Sequence, residues 1–384
     1  MLSVVAGARS LSADPIRLRA DAYSSTGAPV GLLILRGEDR ARPWVDAEAV
    51  AWLGVRDTPD FTGDALTLTV RVRDPAGRGE IRAGRFVYSA GAIRPLHLDG
   101  VRALGRAKVT GTNLELFAGS PVVARFGARP FDIALGGRIS QAFGDALSFG
   151  GSYVSRRRDG ELLDREIGPD VAFAPTSWCD LAARTAFDLI NRGPTDALAS
   201  IAARTTDLRI ELFATHRSPA RMLPATSLFS VLGDIPSTTT GGTTRYRVAP
   251  RLDLLLTMAM MRAGGDVGAF GVARAVLALD DDFAGSLGLE LRRQSVDTAR
   301  WSGARAIVVL PIDEAMRISG ELELVRPDVP PGVNRVWPWS LLSIARRWPS
   351  GWEGALALEA LGTRDDRREL HAMMRVSFAF ERRP

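Results

Sequence analysis

The chain has one cysteine, Cys179, one lysine, Lys108, and three histidines, His97, His216 and His371, among 384 residues. A single thiol excludes a disulfide scaffold and a cysteine-rich zinc site. Three scattered histidines leave little for a multi-histidine metal centre. Long hydrophobic runs are missing as well. The longest apolar stretches are Leu32–Leu35, Leu254–Met261 and Ala306–Ile312, far short of the roughly 18 to 20 residues of a spanning helix. No phosphate-binding loop, dinucleotide glycine fingerprint, zinc spacing or Gly-x-Ser-x-Gly elbow occurs. No cofactor and no enzymatic activity is expected. The start, Met1-Leu-Ser-Val-Val-Ala-Gly-Ala, lacks the basic flank and apolar length of a secretory signal.

What is present is arginine, glycine and alternation. Net charge is +5, carried almost wholly by arginine. The arginines are spread along the chain and sit near Asp or Glu, not in a basic cluster interleaved with aromatics, so nucleic acid is not an expected partner. Leu370, Ala372, Met374, Val376, Phe378 and Phe380 alternate with His371, Met373, Arg375, Ser377, Ala379 and Glu381. That period of two marks a strand with one apolar and one polar face. The same rule holds for Ile16–Tyr23, Leu66–Arg73, Phe131–Ile139, Asp180–Leu189, Leu208–Ala214, Leu287–Arg292, Met316–Leu324 and Trp352–Ala360. Turn clusters separate such windows, among them Asp74–Gly77, Arg157–Gly160, Asn191–Pro194 and Pro349–Gly351. About 18–22 strands fit, with 16 an option. No linker divides the chain. Residues 1–15 read as an irregular N-terminal segment and 16–384 as one domain. Ala, Leu and Arg favour helix, but pattern outranks propensity.

Strands buried on both faces are scarce, and the polar faces carry Arg and Glu well inside the strands. A closed barrel in lipid accounts for both features. Outward residues meet hydrocarbon, inward residues meet water, and closure leaves no unpaired edge. With this pattern over most of residues 16–382, and a last strand His-Ala-Met-Met-Arg-Val-Ser-Phe-Ala-Phe, the chain resembles the outer-membrane β-barrel proteins of Gram-negative bacteria, porin-like in size. The resemblance implies an all-β, single, closed antiparallel transmembrane barrel in the outer membrane. It also implies the lipid bilayer, the barrel-insertion machinery and periplasmic chaperones as partners, with Phe378 and Phe380 as a terminal assembly signal. This chain departs in ending Glu-Arg-Arg-Pro, and in lacking a clear signal, which is read as a mis-assigned or trimmed start.

The expected function is passive diffusion of small solutes through an arginine-rich lumen with an anion preference. The expected pore-lining set is Arg138, Arg184, Arg209, Arg245, Arg247, Arg274, Arg292, Arg305, Arg317, Glu321, Glu323 and Arg375, since rings of like charge select counter-ions. A lattice of Arg–carboxylate pairs, such as Arg317 with Glu321 and Glu323, is the competing reading of these residues. The segment 215–242 alternates least and reads as a long loop, either folded into the lumen or capping the barrel. Trp301, Trp348 and Trp352 lie near turns, where interfacial aromatics are expected. His97 reads as a strand end or a loop residue turned toward the pore, His216 as interfacial, His371 as inward. Other classes consistent with the pattern are a non-conducting structural or adhesive barrel, a soluble all-β binding protein, and a barrel hydrolase using His371 or His97 with Ser340, Ser343 or Ser377.

Overall fold

The computed structural model describes residues 16–26, 30–42, 44–55, 61–93, 95–122, 132–218, 237–281, 284–296, 299–328, 336–362 and 368–382. These form 22 strands. The first eleven are β1 (Ile16–Ser25), β2 (Val30–Arg42), β3 (Val45–Val55), β4 (Phe61–Arg73), β5 (Gly79–Tyr88), β6 (Leu96–Ala107), β7 (Thr112–Pro121), β8 (Asp132–Phe143), β9 (Leu147–Arg158), β10 (Glu161–Thr176) and β11 (Cys179–Asp188). The rest are β12 (Gly193–Arg204), β13 (Leu208–Arg217), β14 (Ser237–Ala249), β15 (Leu252–Ala263), β16 (Asp266–Ala278), β17 (Ser286–Val296), β18 (Ala299–Pro311), β19 (Met316–Pro327), β20 (Trp337–Arg347), β21 (Trp352–Gly362) and β22 (Arg368–Arg382).

Each strand pairs antiparallel with the next, and β22 returns to β1 from Ile16↔Arg382 to Ser25↔Met373. The sheet therefore closes. The sequence range of 18–22 strands resolves to 22, and the 16-stranded option falls. The helix propensity of the Ala-, Leu- and Arg-rich windows is overridden by sheet pairing.

Alternation explains the orientation of the wall. On β15, Leu254, Leu256, Met258 and Met260 are exposed on one face, while Asp253, Leu255, Thr257 and Ala259 occupy the other. The same exposed face carries Leu68, Val70 and Val72 on β4, Leu287, Leu289 and Leu291 on β17, and Leu370 and Met374 on β22. Met258 is 63% exposed and Leu370 69%. Such a continuous apolar exterior belongs against hydrocarbon, not water.

β1 begins and β22 ends at one rim, where each connection between strands spans seven residues or fewer. The longest connections, 122–131, 218–236 and 328–336, lie at the other rim. Aspartates build several of the short turns. Asp313 accepts the Ala315 and Met316 N–H groups at 2.7 Å each. Asp280 accepts those of Ala284 and Gly285 at 2.8 and 2.7 Å. Gly351 (φ 86°) occupies a left-handed turn position that a side chain would strain.

Aromatics gather at the short-turn rim. Trp44, Phe143, Phe149, Phe173, Trp178, Trp348 and Trp352 are all exposed there. Phe143 stacks on Phe149 at 5.5 Å, and Trp352 leans on Phe378 at 4.8 Å. A girdle of this kind suits a membrane interface. Trp301 departs from that expectation. Its register with Gln294 and Pro327 places it on the inner face, toward the long-loop rim.

The segment 215–242 is shorter than the sequence suggests. Residues 215–217 end β13 and 237–242 begin β14. Residues 219–236 lie outside the described residues, as do 1–15. Alternation is hard to see at 237–242 because Thr and Gly fill both faces of β14 there.

Candidate functional site: the inner wall

The face opposite the exposed leucines is a lattice of guanidinium and carboxylate groups. Arg71 donates to Asp46 at 2.6–3.0 Å, and Arg73 reaches the same carboxylate at 2.9 Å. Arg102 bridges Glu80 and Glu115. Arg19 holds Asp21, which also accepts the Ser377 hydroxyl across the β1–β22 seam at 2.5 Å. Arg245 and Arg247 share Asp253.

All twelve residues of the expected pore-lining set lie on this inner face, as their pairing registers show. Their partners differ in part from those the sequence suggests. Glu321 pairs with Arg305 at 2.5 Å and Glu323 with Arg292 at 3.4 Å, so neither serves Arg317. Arg138 pairs with Asp170 at 2.5 Å, Arg184 stands 4.0 Å from Asp196, and Arg375 contacts Glu353. Arg209 donates to Glu211 at 3.0 Å, and Arg274 lies 4.0 Å from Glu290. The sequence reading missed the N-terminal half of the lattice, although its Arg–x–Arg spacing on β4 repeats that of β14.

The wall is not uniformly wet. Phe86, Tyr88, Leu96, Leu98, Phe117, Ala134 and Val154 form a buried cluster inside the barrel on β5–β9, together with Ile93. Leu98 is 0% exposed, and the Tyr88 and Phe117 rings lie 4.0 Å apart. What covers them is the β5–β6 connection, which turns inward as a strap. Ala92 and Ile93 are buried. The Ser152 hydroxyl on β9 donates to the Ala90 carbonyl at 3.4 Å. Gly91 (φ 59°) sits directly over the Arg138–Asp170 pair. A Cβ at Gly168 on β10 would come 2.8 Å from that of Ala92. Beside the strap, Arg156 donates to Asp132 at 2.9 Å, both side chains being 5% exposed.

One sequence signal could have located the strap. Positions 86, 88, 96 and 98 fall in the inward phase but are large and apolar. Apolar side chains on both faces of a hairpin need cover on both sides.

The histidines take three separate positions. His97 is the second residue of β6, in phase with Val101, which is exposed, and its Nε2 lies 2.7 Å from the Leu66 carbonyl oxygen. Its ring therefore faces away from the lumen, not toward the pore. His216 pairs with the Thr238 hydroxyl at 2.9 Å. His371 is inward, opposite Glu359 and 3.4 Å from Glu369. The serines named with it are engaged elsewhere or turned away. Ser377 bonds Asp21, Ser343 bonds Ser319 at 2.6 Å, and Ser340 shares the outward phase of Leu342. Among the described residues, no group of three His, Cys, Asp or Glu side chains could hold a metal ion.

Solved structures share this architecture at low identity. The siderophore receptor PirA from Pseudomonas aeruginosa matches with a TM-score of 0.62 at 8% identity, over 97% of this chain and 81% of that one. The ferric-catecholate import receptor Fiu from E. coli K12 matches with a TM-score of 0.57 at 9% identity, over 96% and 81%. The P pilus usher (PapC) translocation pore matches with a TM-score of 0.52 at 9% identity, over 95% and 98%. No protein-family model and no curated protein sequence matches the chain. The likeness is one of fold: the chain is a closed antiparallel β-barrel of 22 strands, the architecture these structures share.

Proposed function

We propose that the barrel works in the outer membrane as a passive diffusion channel whose inner wall carries solutes through a dense field of fixed charge. The observation that carries this reading is the pairing of an apolar exterior with a charged interior around 22 strands. Strands about 4.8 Å apart and tilted about 40° close on a backbone diameter of roughly 44 Å. Side chains cannot fill a lumen of that width, and the polar lattice is suited to line water. The strap occupies one side of the wall and sets the local shape of the passage there. The terminal strand carries Phe380 outward and Phe378 against Trp352, which supports its use as a recognition element for insertion.

Selectivity follows from the pairing of the charges. Because most inward arginines face a carboxylate, the net field is weak, and the anion preference is modest. Planar-bilayer recording tests the reading. Purified barrel should give discrete conductance steps and a reversal potential slightly toward anions in a salt gradient. A folded barrel that inserts without conductance would remove the channel and leave a structural or adhesive role.

A further inference from the structure

One region of the inner wall breaks the Arg–carboxylate rule. On β18, β19 and β20, near the long-loop rim, the inward positions are Trp301, Val325, Pro327, Trp337 and Trp339. Register places Val325 directly across from Trp337, and Pro327 across from Trp301. Trp301 and Trp337 thus stand two strands across and two residues along, about 12 Å apart, and Trp339 follows Trp337 on the same face. The Trp301 ring lies back along the wall over Gly303, whose missing side chain makes room for it. Three indoles on one half-exposed patch are a large apolar surface in an otherwise charged lumen.

The adjacent carboxylates are also unusual. Asp46, Glu80, Glu115, Asp170, Glu290, Glu321 and Glu353 each meet a guanidinium. Glu359 on β21 instead accepts the indole N–H of Trp339 at 2.7 Å. Directly opposite it is His371, which lies 3.4 Å from Glu369. Among the described residues, Glu359 and Glu369 form no ion pair with arginine. Indole faces beside such carboxylates attract positive charge from two directions: the ring quadrupole and the anionic oxygens.

We infer that this patch is a binding site for small organic cations, of the quaternary or alkylated ammonium class, at the long-loop mouth of the lumen. An alkylated ammonium is weakly hydrated, so it loses little on leaving water for an indole surface. An inorganic divalent ion would need a convergent set of oxygens, which the patch does not offer. The site lies in the lumen of the proposed channel and rests on that lumen being open to water, but binding itself does not require conduction.

Isothermal titration of the detergent-solubilised full chain with tetraethylammonium chloride tests the inference, with maltose and benzenesulfonate as neutral and anionic probes. Saturable binding of tetraethylammonium is expected. Trp337→Ala with Trp339→Ala should weaken it by about tenfold, and Glu359→Gln should weaken it several-fold. Asp281→Asn, in a turn at the opposite rim, should leave it unchanged. Trp339→Phe keeps an aromatic face and guards against misfolding of the double variant; it should retain most of the affinity. Equal heats for wild type and Glu359→Gln, tighter binding of maltose or benzenesulfonate, or no saturable heat would each overturn the site. A barrel that binds tetraethylammonium yet fails to conduct would keep the site and remove the channel; a conducting barrel that binds none would do the reverse.

Discussion

Gly91 and Ser152 approach so closely that no side chain fits between them. A Cβ on Gly91 would overlap the Ser152 hydroxyl and come 2.7 Å from Asp170 Oδ2 and 2.8 Å from Arg138 Nε. The backbone there is left-handed, at φ 59°. Glycine is therefore what lets the strap lie flat on the β8–β10 wall.

Gly91→Val should lift the strap from the wall. A β-branched residue adds left-handed strain of about 1–2 kcal/mol to the clash. Single-channel recording should show a larger conductance with more current noise, while the folded barrel persists. An unchanged conductance would mean that the strap does not bound the passage.

The converse experiment pins the strap. With Cys179→Ser removing the native thiol, Ala92→Cys and Gly168→Cys should cross-link on mild oxidation. The strap must yield by about 1 Å to reach a disulfide's Cβ separation of about 3.8 Å. The oxidised form should conduct as the wild type does, with less noise, and reduction should restore the starting trace.

The strap was the least legible part of the sequence. A period of two reports which face meets lipid, as Leu254, Leu256, Met258 and Met260 show. It does not report what lies inside. Positions 86, 88, 96 and 98 break the inward polar phase only because a connection folds back over them, a tertiary event local pattern does not encode. Strand number was blurred for a related reason. β2 runs Leu32-Leu33-Ile34-Leu35, apolar on both faces, and the β9–β10 turn is two residues long, so neither edge stands out. The charge lattice was legible as a set of inward arginines. Its pairings were not, because Arg305 meets Glu321, and Arg292 meets Glu323, through cross-strand register, which spacing along the chain does not fix.

Arg156 and Asp132 are buried together, and removing Arg156 leaves the Asp132 carboxylate with only the more exposed Arg158, 3.8 Å away. Arg156→Ala should cost about 3–5 kcal/mol in reversible urea unfolding. Replacing both, as Arg156→Met with Asp132→Leu, should recover most of that loss. If the double variant were as unstable as the single one, the cost would lie in packing and not in the stranded carboxylate.

The lipid-facing assignment also sets a contrast in cost. Met258→Arg, on the outer face of β15, should destabilise the barrel in bilayers by about 2–4 kcal/mol if it lies near the midplane. Thr257→Arg, one residue away on the inner face, should cost far less in the same unfolding titration.

The most direct measurement is a nitroxide scan of β15 in liposomes, from 253 to 258, on the Cys179→Ser background. Positions 254, 256 and 258 should collide with oxygen dissolved in the acyl chains, and 253, 255 and 257 with a water-soluble nickel chelate. The two accessibilities should alternate out of phase with a period of two. In-phase profiles, or chelate access at 254, 256 and 258, would contradict a barrel whose leucine face meets lipid and whose arginine face encloses water.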